Sequence, residues 1–340
     1  METNTKKPII LDGKLIAADI KKEIAIQVEK LLDHGQDAPH LAAIIVGEDG
    51  ASKTYVESIQ RNTKEVGFMC SVYQFPSKLT ENELIEVIEF INNDPEIDGY
   101  IIQLPLPDHI SVDHIINHVN PKKDVDCFHP ANMGNLVLGK DTFLPATPHA
   151  CMEILKRSNI EVAGKNCVVV GRSNIVGKPL ALLLSQNSAD ANGTVTITHS
   201  KTQNLKDICK QADILLVAIG KPEMITKEYV KEGATVIDVG IHRIEDKKSE
   251  KGYKICGDVK HDEVDPICSA VTPVPGGVGA VTMSCLLLNT LKAYTLFHSS
   301  VENLTADKEY SDDLMEDEHD HHDHHHHDHD HDHCDCGSDH

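Results

Sequence analysis

The chain has no run of about 18 apolar residues, the least a membrane-crossing helix needs. Its start, METNTKKPII, is charged and has no apolar core of the kind a secretory leader carries. These absences predict no membrane span and a cytoplasmic location. Positive charge is scarce. There are 32 Lys and Arg against 54 Asp and Glu in 340 residues, a formal net charge of −22. A field of that sign works against nucleic acid or an anionic membrane as partner. A disulfide framework is also missing. Cys70, Cys127, Cys151, Cys167, Cys209, Cys256, Cys268 and Cys285 are scattered, mostly in apolar surroundings, as reduced buried thiols are. A composition 40% hydrophobic and 25% charged excludes a wholly disordered or fibrous chain, and the length suits about two domains.

The charge is unevenly placed. Residues 302–340 hold 15 acidic residues and one basic residue, Lys308, which leaves 39 acids and 31 bases in residues 1–301, a net −8. Within that body, helical and strand patterns alternate. Ile16, Ile20, Ile24, Val28 and Leu32 recur every fourth residue, one stripe of an amphipathic helix. LAAIIVG (41–47) predicts a strand buried on both faces, residues 51–66 a helix, and residues 69–75 a strand. Thr80 and Glu83 form a capping-box pattern before the next helix. GYIIQLPLP (99–107) is a strand stopped by prolines.

After a Pro/Gly/Asn-rich stretch (120–148), a connecting helix opens at residues 151–155. CVVVG (167–171), TVTIT (194–198), DILLVAIG (213–220) and ATVIDVG (234–240) read as strands, PLALLLSQ (179–186) as a helix, and roughly 279–297 as the last body helix. Strands alternating with helices predict an α/β fold with largely parallel sheets. The units run over residues 1–149 and 150–278, and residues 299–340 form a tail.

VVVGRSNIVGKP (168–179) is a strand, a Gly-bearing turn and a helix start. Gly171 and Gly177 would let the backbone approach a ligand, and the helix N-terminus would offer N–H groups to a phosphate. The string is not G-x-G-x-x-G, and its spacing serves an ordinary strand–helix turn equally well. The next strand ends TITHSKT (196–202) without the carboxylate that holds an NAD ribose. Ser200 and Lys201 stand there, with Arg172 in the turn, a set suited to the 2′-phosphate of NADP; Lys201 as a plain surface charge is the competing reading. In the first unit, Tyr55, Gln103 and Asp126 fall at strand ends or in the elements after them, where an α/β sheet binds ligands. TPVPGGVG (272–279) is rigid and sterically open, suited to a flat ligand or to a tight turn.

Taken together and in order, YV (55–56), GYIIQLPLP, PKKDVDCFHPANMG, VVVGRSNIVGKP, TVTITHSKT, ADILLVAIGKP, GATVIDVGI, GDV (257–259) and TPVPGGVG resemble the methylenetetrahydrofolate dehydrogenase/methenyltetrahydrofolate cyclohydrolase family. The likeness covers about residues 8–298. It implies a homodimer of subunits with two α/β domains around a cleft, the second Rossmann-like, with the last body helix (about 279–298) returning to the first domain. It implies NADP held by Gly171, Arg172, Ser173, Ser200 and Ile241. Folate would be held by Tyr55, Gln103, Leu104, Asp126, Pro275, Gly276, Gly277, Val278 and Gly279, with Tyr55, Gln103 and Asp126 catalytic. Hydride would pass from 5,10-methylenetetrahydrofolate to the nicotinamide, and water would then open the methenyl product, with no metal required.

The departure that matters is Ile59. The family pattern Y-x-x-x-K puts a catalytic lysine four residues after the tyrosine, on the same helical face; this chain reads Tyr55-Val56-Glu57-Ser58-Ile59. Isoleucine moves no proton. The resemblance therefore predicts a working dehydrogenase step and a poor cyclohydrolase step. Cys127 in DVDC, Ala150 in Thr147-Pro148-His149-Ala150, and Ala280 and Val281 also depart from the family strings, and are expected to crowd the folate pocket. The other expectation is a paralogue that keeps the NADP site but no folate chemistry.

Residues 319–340 contain 11 His, seven Asp and two Cys. Such a segment cannot bury a core and is expected to be disordered. Imidazole and thiolate suit Zn, Ni or Cu, so His319, His321, His322, His324, His325, His326, His327, Cys334 and Cys336 are candidates for loose metal binding. A solvating extension accounts for the composition equally well.

Overall fold

The computed structural model describes residues 7–47, 50–246, 249 and 252–313; for 50–55 and 299–313 it describes the backbone alone. The candidate metal ligands from His319 to Cys336 lie outside the described residues, as does the disorder expected of them.

The chain opens with β1 (Ile9–Ile10) and α1 (Gly13–Asp33). Then β2 (His40–Val46), α2 (Gly50–Glu65), β3 (Met69–Phe75), α3 (Glu81–Asn93) and β4 (Gly99–Ile102) alternate, and these strands form a parallel sheet in the order β3-β2-β4. α4 (Val112–His118), α5 (Pro130–Val137) and α6 (Ala146–Arg157) lead on. There follow β5 (Asn166–Val170), α7 (Gly177–Ser185), β6 (Thr194–Thr198), α8 (Leu205–Cys209), β7 (Ile214–Val217) and β8 (Thr235–Asp238). An antiparallel hairpin of β9 (His242–Glu245) and β10 (Tyr253–Cys256), α9 (His261–Val264), β11 (Ala270–Val271) and α10 (Val278–Asp313) complete the described chain. The second sheet is parallel throughout, in the order β1-β11-β8-β7-β5-β6. The expected α/β class is therefore present.

Strand alternation explains why the described residues from 7 to 296 pack as one unit. Leu41 and Ala43 of β2, Cys167 and Val169 of β5, and Ile214 and Leu216 of β7 share one apolar core. The intervening residues turn to two outer cores, Ala42 and Ile44 to one and Val168, Val170, Leu215 and Val217 to the other. Ile20 and Ile24 of α1, Ile154 of α6, and Leu286 and Leu287 of α10 fill the shared layer. Each such side chain contributes about 1.5–3 kcal/mol by leaving water. Arg157 adds a fork to Glu23 (2.7 and 2.8 Å) that ties α6 to α1. The unit from Phe297 onward is described only as the continuing backbone of α10 and the rings of Phe297 and His298, which meet edge to face.

Several expectations need correction. Leu32 is 51% exposed while Leu31 packs against the core. Each four-residue step overshoots the helical period by about 40°, so a stripe spaced strictly by four drifts off its face. β1 pairs with β11 in the second sheet, across the boundary drawn at residue 149. α10 runs to Asp313 rather than 298, and residues 299–313 contain no Gly or Pro to stop it. The stretch 120–148 holds a helix, α5, with Pro130 in its first turn and the His129 ring accepting from Ala131 N–H. Val278–His298 is long and apolar enough to cross a membrane, yet its window is 61% buried within the fold and includes buried Ser284, Asn289 and Thr290. It is a core helix.

Candidate active site

The order of the second sheet reverses at β5. β6 follows on one side and β7 on the other, so the carboxyl ends of β5 and β7 flank the crevice where open α/β sheets bind ligands. The turn after β5 fits that place. Gly171 has φ 129°, and a Cβ there would stand 2.1 Å from the Ala218 carbonyl oxygen. A Cβ on Gly177 would stand 2.4 Å from the Gly171 oxygen. Both positions therefore require glycine, and the main chain of the turn is bare. The Ser173 hydroxyl accepts from Val176 N–H and Gly177 N–H (both 3.2 Å), which sets the start of α7. Arg172, Ser200 and Lys201 are exposed. They sit on adjoining turns, because Gly171 N–H donates to the Thr198 oxygen (2.9 Å). Ile241, after β8, is 65% exposed. Bare backbone at a helix start beside two cations on neighbouring turns fits a dinucleotide with an extra phosphate.

The first sheet places the other residues. Gln103 extends β4, its main-chain N–H donating to the Ile44 oxygen (2.9 Å), and its side-chain amide donates to the Leu104 oxygen (2.7 Å). The bond between Leu104 and Pro105 is cis. The segment carrying Asp126 runs beside β4, with Tyr100 opposite Asp124. Three anchors hold it. The buried Asp124 carboxylate accepts from Phe128 N–H (3.1 Å), His129 N–H (2.8 Å) and the Asn132 amide (2.8 Å). Asn289 of α10 donates to the oxygens of Val125 and Leu144, each at 2.7 Å. The Lys123 ammonium donates to the Ile91 oxygen (3.0 Å). Asp126 itself receives no such bond among the described residues. Burial, with the Asp124 charge beside it, pushes its carboxyl up to about 7. A small cavity of about 20 Å³, lined in part by Leu104, Ile115, Asp124, Asp126 and Phe128, adjoins that half-buried residue.

Tyr55 lies on α2, but its side chain is outside the described residues. Ile59 is 1% exposed and belongs to the shared core with Val66. It shares a face with Thr63, which is fully buried. That face of α2 therefore packs inward, and Lys64 points to solvent. The loop 272–279 is braced against residues 12–14. A Cβ on Gly13 would stand 2.1 Å from the Gly277 oxygen, and the Lys14 stem lies against Gly276, whose φ is 106°. Pro275 is exposed, after a cis bond, and Gly279 has open space where a Cβ would be. Val278, however, is 2% exposed and faces the core, so only its main chain can line a pocket.

Three of the departures face the core, while Ala280 is half-buried. Cys127 is buried with its thiol donating to the Phe143 oxygen (3.0 Å), and Ala150 and Val281 are fully buried. They were absorbed into the core. The sequence reading missed Asp124, Asn289 and a pair of buried carboxylates, Asp238 and Asp258. A signal for the last two existed in VIDVG and GDV, where a carboxylate lies within two residues of a glycine.

Fold and site define an α/β protein with a dinucleotide crevice in one half and an ionisable ligand site in the other. Comparison with known proteins sharpens that class. The profile of the tetrahydrofolate dehydrogenase/cyclohydrolase catalytic domain matches residues 11–126, and that of the family's NAD(P)-binding domain matches residues 145–298. The bifunctional protein FolD of Cytophaga hutchinsonii is 50% identical over 287 residues, 84% of this chain and 99% of that one. Among solved structures, the bifunctional FolD of Campylobacter jejuni is 43% identical with TM-score 0.78, covering 84% of this chain and 97% of that one. The Trypanosoma brucei FolD, complexed with NADP cofactor and inhibitor, is 36% identical with TM-score 0.80, covering 87% and 99%. The chain belongs to the tetrahydrofolate dehydrogenase/cyclohydrolase family.

Proposed function

We propose that the chain oxidises 5,10-methylenetetrahydrofolate with NADP in the cytoplasm, as a homodimer, and that hydrolysis of the methenyl product is slow. The observation that carries the asymmetry is Ile59, an apolar side chain packed in the core where the family resemblance expects a lysine. NADP, when bound, supplies the hydride acceptor. The chain's part is to hold it with the main chain of Gly171 and Ser173, with Ser200 and Ile241, and with Arg172 and Lys201 toward the 2′-phosphate. Tyr55, Gln103, Leu104, Asp126, Pro275, Gly276, Gly277, Gly279 and the main chain of Val278 hold the folate. An ionised Asp126 accepts from the pterin's N–H groups.

Hydride transfer asks these residues chiefly for placement. Hydrolysis asks for a group that moves a proton, and losing one commonly costs about 10²–10⁴-fold. The bifunctional FolD relatives and the NADP in the T. brucei structure support the folate and cofactor assignments. Identity of 50% over nearly the whole body disfavours a paralogue without folate chemistry.

Both steps should be assayed on the wild type and on Ile59→Lys. The expected result is NADP reduction with little hydrolysis, and a gain in hydrolysis of about tenfold or more in the variant. The variant should melt lower, since its ammonium must escape a buried position. Rapid hydrolysis by the wild type would remove the asymmetry. For residues 319–340, we propose loose binding of Zn, Ni or Cu by imidazole and thiolate. Equilibrium dialysis with and without these residues tests it, and unchanged stoichiometry would dismiss it.

A further inference from the structure

We propose that Asp258 is a positioning residue for the cofactor, acting through the main chain of residues 219–221 and through His242; this rests on the NADP reading above. Its side chain is 0% exposed. One carboxylate oxygen accepts from Ile219 N–H (2.8 Å) and Gly220 N–H (3.1 Å). The other accepts from Lys221 N–H (2.7 Å) and His242 Nε2 (2.8 Å). A buried carboxylate with four donors has its charge fully answered by directional bonds, so it fixes the donors as firmly as they fix it.

Where those donors sit gives the arrangement its function. Residues 219–221 follow β7 and form one wall of the crevice at the sheet's reversal, directly after the Ala218 carbonyl that abuts Gly171. His242 follows Ile241, the exposed residue three positions after β8. A single carboxylate thus sets two segments that border the cofactor crevice.

The second buried carboxylate keeps Asp258 in place. Asp238 accepts from Asp258 N–H (3.0 Å), Gly240 N–H (3.0 Å) and Val259 N–H (2.9 Å). Two glycines make the room. A Cβ on Gly240 would stand 2.4 Å from the Asp258 carboxyl carbon, and one on Gly257 would stand 1.9 Å from an Asp238 oxygen.

The test is calorimetric titration of NADP into the full chain as wild type, Asp258→Asn, His242→Ala and His242→Gln, with steady-state KM for NADP and for methylenetetrahydrofolate. Asp258→Asn keeps one acceptor oxygen and turns an amide NH2 toward the two donors that the other oxygen served. It should raise the NADP Kd and KM by at least about tenfold while the folate KM stays within about twofold. His242→Ala should raise the NADP Kd by about threefold, and His242→Gln, whose amide can donate from a similar position, should restore it. A merely structural latch would lower the melting temperature and leave the NADP Kd of the folded fraction unchanged. A folded Asp258→Asn with wild-type NADP Kd overturns the proposal. If that variant does not fold, equal Kd values for His242→Ala and wild type overturn it. A wild type that fails to bind NADP overturns the cofactor reading and the proposal with it.

Discussion

The two ligand-binding halves of this chain are held by different means. Around the nucleotide crevice, every segment is pinned. Gly171 and Gly177 touch backbone at distances no side chain would allow, and Asp238 and Asp258 gather the N–H groups of three loops. On the side proposed for folate the frame is equally firm, with Asp124, Asn289 and Lys123 bracing the loop, but the residues proposed to react are held differently. Asp126 stands without a donor among the described residues, and Ile59 has joined the core. A frame made of buried hydrogen bonds resists change because each loss strands a partner. A group that only moves protons can be lost at little cost to the fold. On the proposed reading, binding and hydride transfer therefore remain open to this chain while proton transfer is diminished.

The sharpest way to break the comparison is to put a methyl group in each half. Gly171→Ala places a Cβ 2.1 Å from a carbonyl oxygen at φ 129°, so the turn must move. NADP affinity should fall by about a hundredfold or more, or the protein should lose several kcal/mol of stability, on the order of the largest single-site effects. Gly279→Ala meets nothing within 4 Å and lies in the first turn of α10. Its melting temperature should be unchanged or slightly raised. Titration and melting curves check both.

The next effect tests the unpartnered carboxylate. Asp126 titrates near 7 in the fold, against an ordinary value of 3.8. Below the lower value it is protonated in both states and contributes nothing. As pH rises toward 7, the unfolded chain ionises first and the folded state loses ground. The penalty is complete above 7. Asp126→Asn should therefore stabilise the protein more at pH 8 than at pH 5. In activity, kcat/KM for the folate substrate should rise with pH through about 7, and the variant should lose that inflection. An inflection that persists in the variant would assign it to another group.

How much of this was legible follows from the range of each signal. The helix stripe at Ile16, Ile20, Ile24 and Val28 and the capping box at Thr80 are local, and the sequence shows them directly. So are the buried strands and the glycine turn after β5. α4, α5 and α8 are at most about two turns long, too short to establish a period. The drift of Ile59 into the core was half legible. The missing lysine is visible in the string, but the inward direction of that face depends on what α2 packs against. The carboxylate pair was invisible because Asp258 takes its meaning from residues 219–221 and 242, which only the fold brings to it.

The smallest effect compares strain in the two halves. Glu223, in the loop beside the nucleotide crevice, and Cys127, beside Asp126, both hold positive φ, 52° and 59°. Such backbone costs a side-chain-bearing residue about 1 kcal/mol or somewhat more. Glu223→Gly relieves it and gives up only a partly exposed ion pair with Lys254 (3.0 Å), worth about 1 kcal/mol at most. It should leave stability unchanged or raise it by up to about 1 kcal/mol, a melting shift of about 2 °C. Cys127→Gly relieves the same strain but removes a fully buried thiol and its bond to the Phe143 oxygen. The relief and the lost packing oppose each other, so the variant should melt at or below the wild type. A clear rise in melting temperature for Cys127→Gly would mean that the thiol is a poorly packed intruder, and that the folate half is strained as well as chemically altered.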